Sequence, residues 1–413
     1  MVGGSMIRFK KDDGLDYPDW KQFKLKEIAV YKKGFAFKAK DYKKEGVKII
    51  RVSDLGYDYI KKAGQVCLSL DKKDEFLDWE LKENDIIITT VGSKPPVYSS
   101  LVGKVIKVTK EFDGCLLNQN AIRVRTREGY SQKFLYYVFS KKRYISFLES
   151  IMRGNANQGN ITVEDLFGYE MFIPAIQEQE KIADFLSSVD DVIQIQEEKI
   201  VALEEQKKGI MQKLFNCEVR FKADDGSEYP EWEEKEIGDA CVMNPKTGKL
   251  DDEFYYIDLG SVDKGSLVLE STILRDDAPS RAQRVLSLDD VIFQSVRPYN
   301  MGHYHYTHVM DKQVVASTGF IQLRLKDGLN AFLYQLLYTA HFNNEVDIRC
   351  TGSNYPAINS DSLAEIKIDV PCIEEQKKIV DCLSAYDETI QIKKDKLEIW
   401  KEIKKGLLQQ MFV

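Results

Sequence analysis

The 413-residue sequence is poor in the residues that most metal and catalytic sites need, with four histidines and seven cysteines that are scattered and never spaced as Cys-x-x-Cys. Odd, dispersed thiols argue against a disulfide framework or a structural zinc site and fit buried thiols in a reducing cytoplasm. Three of the histidines fall in His303-x-His305-x-x-His308. With no cysteine or clear acidic ligand beside them they read as a polar strand or loop face rather than as a zinc site. No apolar run approaches the roughly 18 residues of a membrane span and no signal-peptide core opens the chain, so a cytoplasmic protein without membrane association is expected. The opening Met1-Val-Gly-Gly-Ser-Met6 reads as a non-native leader before a native Met6. Long Ser, Gly or Pro tracts are missing while aromatics make up 11%, which argues against disorder.

Reactive signatures are absent too. Gly103-Lys104 and Gly248-Lys249 lack the upstream glycine and the following hydroxyl of a phosphate-binding loop. No Gly-x-Gly-x-x-Gly, Gly-x-Ser-x-Gly or His-Glu-x-x-His occurs, and neither Asn244-Pro-Lys nor Arg297-Pro-Tyr is the Asn/Asp-Pro-Pro-Tyr of a base methyltransferase. Nothing argues for catalysis in this chain.

What the sequence does contain is a repeat. Pro174–Phe215 aligns without a gap on Pro371–Phe412, with 20 of 42 positions identical where chance would give about two or three. Arg8–Trp20 likewise matches Arg220–Trp232, both reading Arg-Phe-Lys-x-Asp-Asp-Gly-x-x-Tyr-Pro-x-Trp. In the longer repeat Ile182, Leu186, Val189, Ile193, Ile200, Leu203, Ile210 and Leu214 follow heptad spacing, and Ile379, Leu383, Tyr386, Ile390, Leu397, Trp400, Leu407 and Met411 repeat it. Each copy predicts a helix of roughly 60 Å at 1.5 Å per residue. One apolar stripe on so long a helix must be buried, and the nearest partner is its own copy, so an antiparallel coiled coil is expected.

Between the helices, residues 21–173 and 233–370 carry short β-like runs mixed with helices, and Leu81–Ile88 matches Leu286–Phe293, so the two bodies read as diverged copies of one α+β fold. Their charges differ: 28 Lys+Arg against 19 Asp+Glu in the first, 13 against 21 in the second. The first reads as a polyanion binder. The second holds an acid-free stretch of Arg, Asn, His and Tyr at 297–308, the side-chain types that reach phosphates and base edges. Each body closes on a Gly/Asn-rich loop, 153–161 and 349–358.

Pro174-Ala-Ile-Gln-Glu-Gln-Glu-Lys-Ile182 and Pro371-Cys-Ile-Glu-Glu-Gln-Lys-Lys-Ile379, each heading a long heptad helix after a Gly-rich loop, resemble the specificity (S) subunits of Type I restriction-modification systems. The resemblance covers essentially the whole chain. It implies a target-recognition domain at 1–173, a central helix at 174–216, a second target-recognition domain at 217–370 and a C-terminal helix at 371–413. It also implies a non-catalytic protein that binds double-stranded DNA at a split, asymmetric target, with the helices as spacer ruler and as seat for two methyltransferase (M) subunits. No cofactor is expected in this chain; S-adenosylmethionine, ATP and Mg²⁺ belong to the M and restriction (R) subunits.

For DNA contact the candidates are Lys94, Tyr98, Ser99, Arg153, Asn155, Asn157, Gln158 and Asn160 in the first body, and Arg281, Arg284, Arg297, Tyr299, Asn300, His303, His305, Ser353, Asn354 and Tyr355 in the second. Arg and Asn/Gln pair bidentately with guanine and adenine, whereas Lys and Ser more often hold phosphates. Turn chemistry is the competing reading of the Gly/Asn loops. Glu178, Gln179, Lys181, Glu375, Gln376 and Lys378, at the helix starts, are the candidates for partner contact. The rival functions are a coiled-coil scaffold carrying two bodies for non-DNA ligands, and a nuclease with an unrecognised carboxylate site.

Overall fold

The computed structural model describes residues 7–412 apart from Pro95, Pro96, Tyr98, Ser99, Lys141, Ala156, Asn157, Thr247, Lys264, Glu270 and Ser353. The chain divides into two compact units, residues 1–196 with 396–413, and residues 197–395. Each unit therefore owns one body together with half of each long helix.

In the first unit the central sheet runs Ala29–Lys33, Ala121–Thr126, Ile86–Thr89, Val105–Lys107, with every neighbour antiparallel. The second unit repeats that order with Cys241–Met243, Phe320–Leu325, Val291–Gln294 and Tyr304–His305. Ile86–Ile88 and Val291–Phe293 are fully buried, because this strand lies inside its sheet with both faces covered. A second sheet packs alongside: Val66–Leu68, Val47–Ile50 and Leu116–Leu117 in one unit, Thr272–Leu274, Glu253–Ile257 and Val314–Ser317 in the other. Here the units diverge, since the second adds Ala282–Val285 to this sheet.

Buried charge is handled identically in the two bodies. Asp85 accepts two bonds from the Arg125 guanidinium, at 2.6 and 2.7 Å, and Asp290 pairs the same way with Arg324. Each carboxylate also accepts a backbone N–H from its own turn, Lys82 and Ser287 respectively, so both oxygens of Asp85 and of Asp290 have a donor.

The long helices run Ile176–Phe215 and Ile373–Met411. The heptad positions Ile182, Leu186, Ile379 and Leu383 are buried, as the periodicity requires. Two lysines that interrupt the apolar stripe are paired. Lys404 meets Asp190 at 2.7 Å within the first unit, and Lys207 meets Asp387 at 2.7 Å within the second. Both ion pairs join an early residue of one helix to a late residue of the other, so the helices pack antiparallel. Asp190 and Asp387 are repeat equivalents, as are Lys207 and Lys404, so each unit makes the same interaction with the roles of the helices exchanged. Among the described residues no helix is long and apolar enough to cross a membrane.

Asp387→Ala leaves the largely buried Lys207 ammonium without its carboxylate, and should cost about 1–3 kcal/mol. Replacing both partners with Leu should recover much of that loss. Thermal unfolding checks this, and an unchanged midpoint in the single variant would mean that the pair is a solvated contact of no consequence.

Candidate nucleic-acid interface

The two loop groups chosen from sequence in the first body meet in space. Arg153–Asn155 and Gln158–Asn160 form an antiparallel hairpin instead of an irregular loop, and the hairpin adds to Val91–Gly92. Gly92 cannot carry a side chain there, since a Cβ would lie 2.4 Å from the Ser100 carbonyl oxygen. Lys94 Nζ donates to the Gly154 carbonyl at 2.6 Å, clamping the 92–100 loop to the hairpin. Arg153 is exposed but paired with Asp165 at 2.7 Å, and Asn160 is exposed. Asn155 and Gln158 face each other across the hairpin register. Tyr98, Ser99 and Asn157 lie outside the described residues.

In the second body four separate segments converge. Ile358 N–H donates to Ser295 O at 3.0 Å, the counterpart of Ile161 to Thr90 in the first body, and Arg297 N–H donates to Pro356 O. Ser295 donates to Gly319 O, and Thr318 N–H donates to Arg281 O, so strand ends at 281, 295, 318 and 358 form one edge. Arg297 and Met301 both adopt left-handed backbone, φ 53° and 54°, bracketing the short turn Pro298–Asn300. That conformation is costly for either residue. The turn presents Tyr299, 56% exposed, and Asn300. The Arg297 guanidinium sits 4.3 Å from the centre of the Tyr355 ring, which is itself 65% exposed. A guanidinium held by an aromatic face keeps its donor edge free for a bidentate acceptor. Asn354 is exposed beside it, and Ser353 lies outside the described residues.

Two histidines do not do what the sequence pattern led us to expect. His303 is fully buried, stacked on Phe293 with 4.6 Å between ring centres, and its Nδ1 accepts the Gln294 N–H. Burial pushes its pKa down to about 3, so the ring is neutral and turned inward, away from any phosphate. His305 lies 2.6 Å from Asp289, whose carboxylate occupies it. Neighbours within the body claim both rings.

The helix-start residues also require correction. Glu178 and Glu375 have no exposed surface; Arg8 and Arg220 each grip one of them with two bonds, the shorter being 2.8 Å in both. Gln179 accepts the Ser131 N–H and donates to Pro174 O, and Gln376 does the same with Leu329 and Pro371. These four side chains tie lead, body and helix together within their own unit. Lys181 and Lys378 stay on the surface, paired with Asp12 and Asp224.

Asn244 and Lys246 were overlooked in the sequence. Asn244, at φ 44°, bonds Ser360 and Gln322, which brings the 244–250 loop to the edge just described. The acid-free run Cys241–Leu250 with two lysines was the signal available.

Two unlike loop clusters thus lie on one repeated framework, and no group of His, Cys, Asp or Glu that could hold a metal ion occurs among the described residues. Residues 17–205 and 229–401 match the Type I restriction modification DNA specificity domain, and the chain belongs to that family as a non-catalytic DNA specificity subunit of a Type I restriction-modification complex. It is similar to the Type I restriction enzyme MjaVIII specificity subunit of Methanocaldococcus jannaschii, 25% identical over 424 residues covering 97% of this chain and 94% of that one. In fold it resembles the crystal structure of a Type I restriction-modification S subunit from M. genitalium, with TM-score 0.61, 17% identity and 99% of each chain covered. A chain from a structural study of type I complex assembly and conformational transition aligns with TM-score 0.52, 16% identity, over 96% of this chain and 98% of that one.

Gly92→Ala should force residue 92 apart from residues 100–102 and lower the melting temperature of the first unit. Protease cleavage within 92–102 or 153–161, quicker than in the parent chain, is the readout; an unchanged digestion pattern would show that the loops are not held by this approach.

Proposed function

We propose that each unit reads one half of a split, asymmetric DNA target through its own loop cluster. The observation that carries this reading is the pair of equivalent bonds, Ile161 to Thr90 and Ile358 to Ser295, that bring chemically different loops to the same place on a common framework. A hairpin with Asn155, Gln158 and Asn160 and a strained turn with Arg297, Tyr299 and Asn300 have different donor and acceptor sets, so their preferred bases differ and the target is not a palindrome. Arg297, braced by Tyr355, is the candidate for guanine recognition, and Lys94 and Arg153 shape the hairpin that reads the other half.

The antiparallel helices act as the ruler between half-sites and as the seat of two M subunits, which bring S-adenosylmethionine and methylate adenine; R subunits bring ATP- and Mg²⁺-dependent cleavage. Lys181, Lys378 and the exposed helix residues around them are the surface left for partners once Glu178, Gln179, Glu375 and Gln376 are set aside. The second body, with 13 basic against 21 acidic residues, has little non-specific attraction for DNA, so partner subunits supply part of the cationic surface.

The test is single-molecule sequencing of genomic DNA from cells expressing the chain with its neighbouring M subunit. A bipartite adenine-methylated motif that appears only with this chain is expected; folded, associated proteins producing no new motif would return weight to the non-DNA scaffold. In the same assay Arg297→Ala should relax one base position in one half-site, losing about 1–3 kcal/mol of discrimination there. Equal loss in both halves would remove Arg297 from direct reading.

A further inference from the structure

The second unit contains a cleft of about 370 Å³ between the 244–250 loop and the strand Ala282–Val285, lined among others by Asn244, Pro245, Lys246, Gly248, Gln283 and Arg284. Its electrostatics are unusual for this unit. No acidic side chain lines it, although the surrounding body carries 21 acids against 13 bases. Arg284 is half-buried at its wall, its Nε–H is shielded from solvent without an acceptor, and the guanidinium makes no ion pair among the described residues. Burial alone depresses its pKa, with no carboxylate nearby to offset the loss of water.

A partly desolvated cation with an unused donor is costly unless something anionic arrives. Lys246, exposed on the opposite lip, adds a second charge without an ion pair among the described residues. Asn244 is not free to serve as a ligand, because its amide oxygen accepts Gln322 N–H and its nitrogen donates to Ser360, each at 3.0 Å. It fixes the loop instead. Through Ser360, two residues beyond Ile358, the cleft adjoins the edge that carries Arg297 and Tyr355. The lining has no aromatic face on which an unstacked base could rest, whereas a guanidinium fork matches two oxygens of a tetrahedral phosphate.

We infer that this cleft seats a backbone phosphodiester of the bound duplex, with Arg284 as the fork on its non-bridging oxygens and Lys246 as the second cation. Arg284 is then a positioning residue that sets the register of the second unit on DNA and reads no base itself. The inference rests on the reading of this unit as a DNA-recognition domain and specifies how its acidic surface still grips one phosphate.

The experiment uses the full chain assembled with its M subunits and measures Kd for the target duplex and an unrelated duplex from about 50 to 200 mM salt. Arg284→Gln and Lys246→Gln should each flatten the log Kd against log salt slope by up to about 0.9 for each phosphate that is no longer neutralised. Both duplexes should weaken by the same factor, leaving the methylated motif unchanged, and Arg284→Lys should restore most of the slope. Equal melting temperatures exclude a folding defect. An unchanged slope and affinity in Arg284→Gln, with the parent complex binding normally, overturns the proposal, as does a selective loss of one base position, which would make Arg284 a reader. Saturable binding of inorganic phosphate by the DNA-free complex, abolished in Arg284→Gln while the DNA slope stays fixed, would assign the cleft to a free anion and also overturn the duplex seat. A parent complex that binds neither duplex would remove the DNA reading and this inference together.

Discussion

A carboxylate with no exposed surface sits in the first turn of each long helix, and the rest of each unit is arranged around keeping it paired. Glu178 and Glu375 need a cation and several donors in that position, because a buried carboxylate left unpaired costs more than a fold of this size can spare. Arg8 and Arg220 provide the pairing, and each also donates to the two carbonyls of its Tyr-Pro pair, so the short lead is pinned against the helix start. In the second unit Trp232 Nε1 adds a bond to Glu375 at 3.0 Å. The neighbouring glutamine fastens the body to the same turn. Sequence, helix start and domain are thus coupled through one charge, which explains why the Asp-Asp-Gly lead and the Pro-x-x-x-Glu-Gln motif occur together in both halves.

On this frame the two bodies keep their interior and vary their edge. The buried ion pairs Asp85–Arg125 and Asp290–Arg324 and the matching four-stranded sheets show what cannot change without exposing charge or unpairing strands. The edge beyond the strand ends obeys no such restriction. There one unit builds a hairpin from glycine and amide residues, and the other builds a left-handed turn around Arg297 and adds the strand Ala282–Val285. Recognition chemistry can therefore differ between halves while the framework, and with it the docking of the helices, stays the same.

Much of the fold was legible because it depends on periodicity. Heptad spacing marked both long helices, and short β-like runs in both bodies correspond to strands such as Val47–Ile50 and Phe320–Leu325. The site was legible only in part. Loops rich in Arg, Asn and Gly were recognisable as candidate segments, but residue type does not reveal which way a side chain turns, so His303 was assigned to a surface that it does not reach. The helix-start residues misled for a related reason: polar residues at a repeated position look like a shared docking surface, whereas here repetition preserves an internal bond.

By itself the sequence determined the duplication, the two antiparallel helices, the absence of a recognisable catalytic signature and the presence of two unlike heads, since each follows from spacing along the chain. Only the tertiary structure decided which residues share a site. The meeting of Lys94 with Gly154, of Arg281 with Thr318, of Arg297 with Pro356 and of Asn244 with Ser360 depends on strand order and on hydrogen bonds between segments tens of residues apart, and no local pattern encodes those pairings. The same holds for burial: His303 and Glu178 are withdrawn from the surface by neighbours that sequence distance conceals.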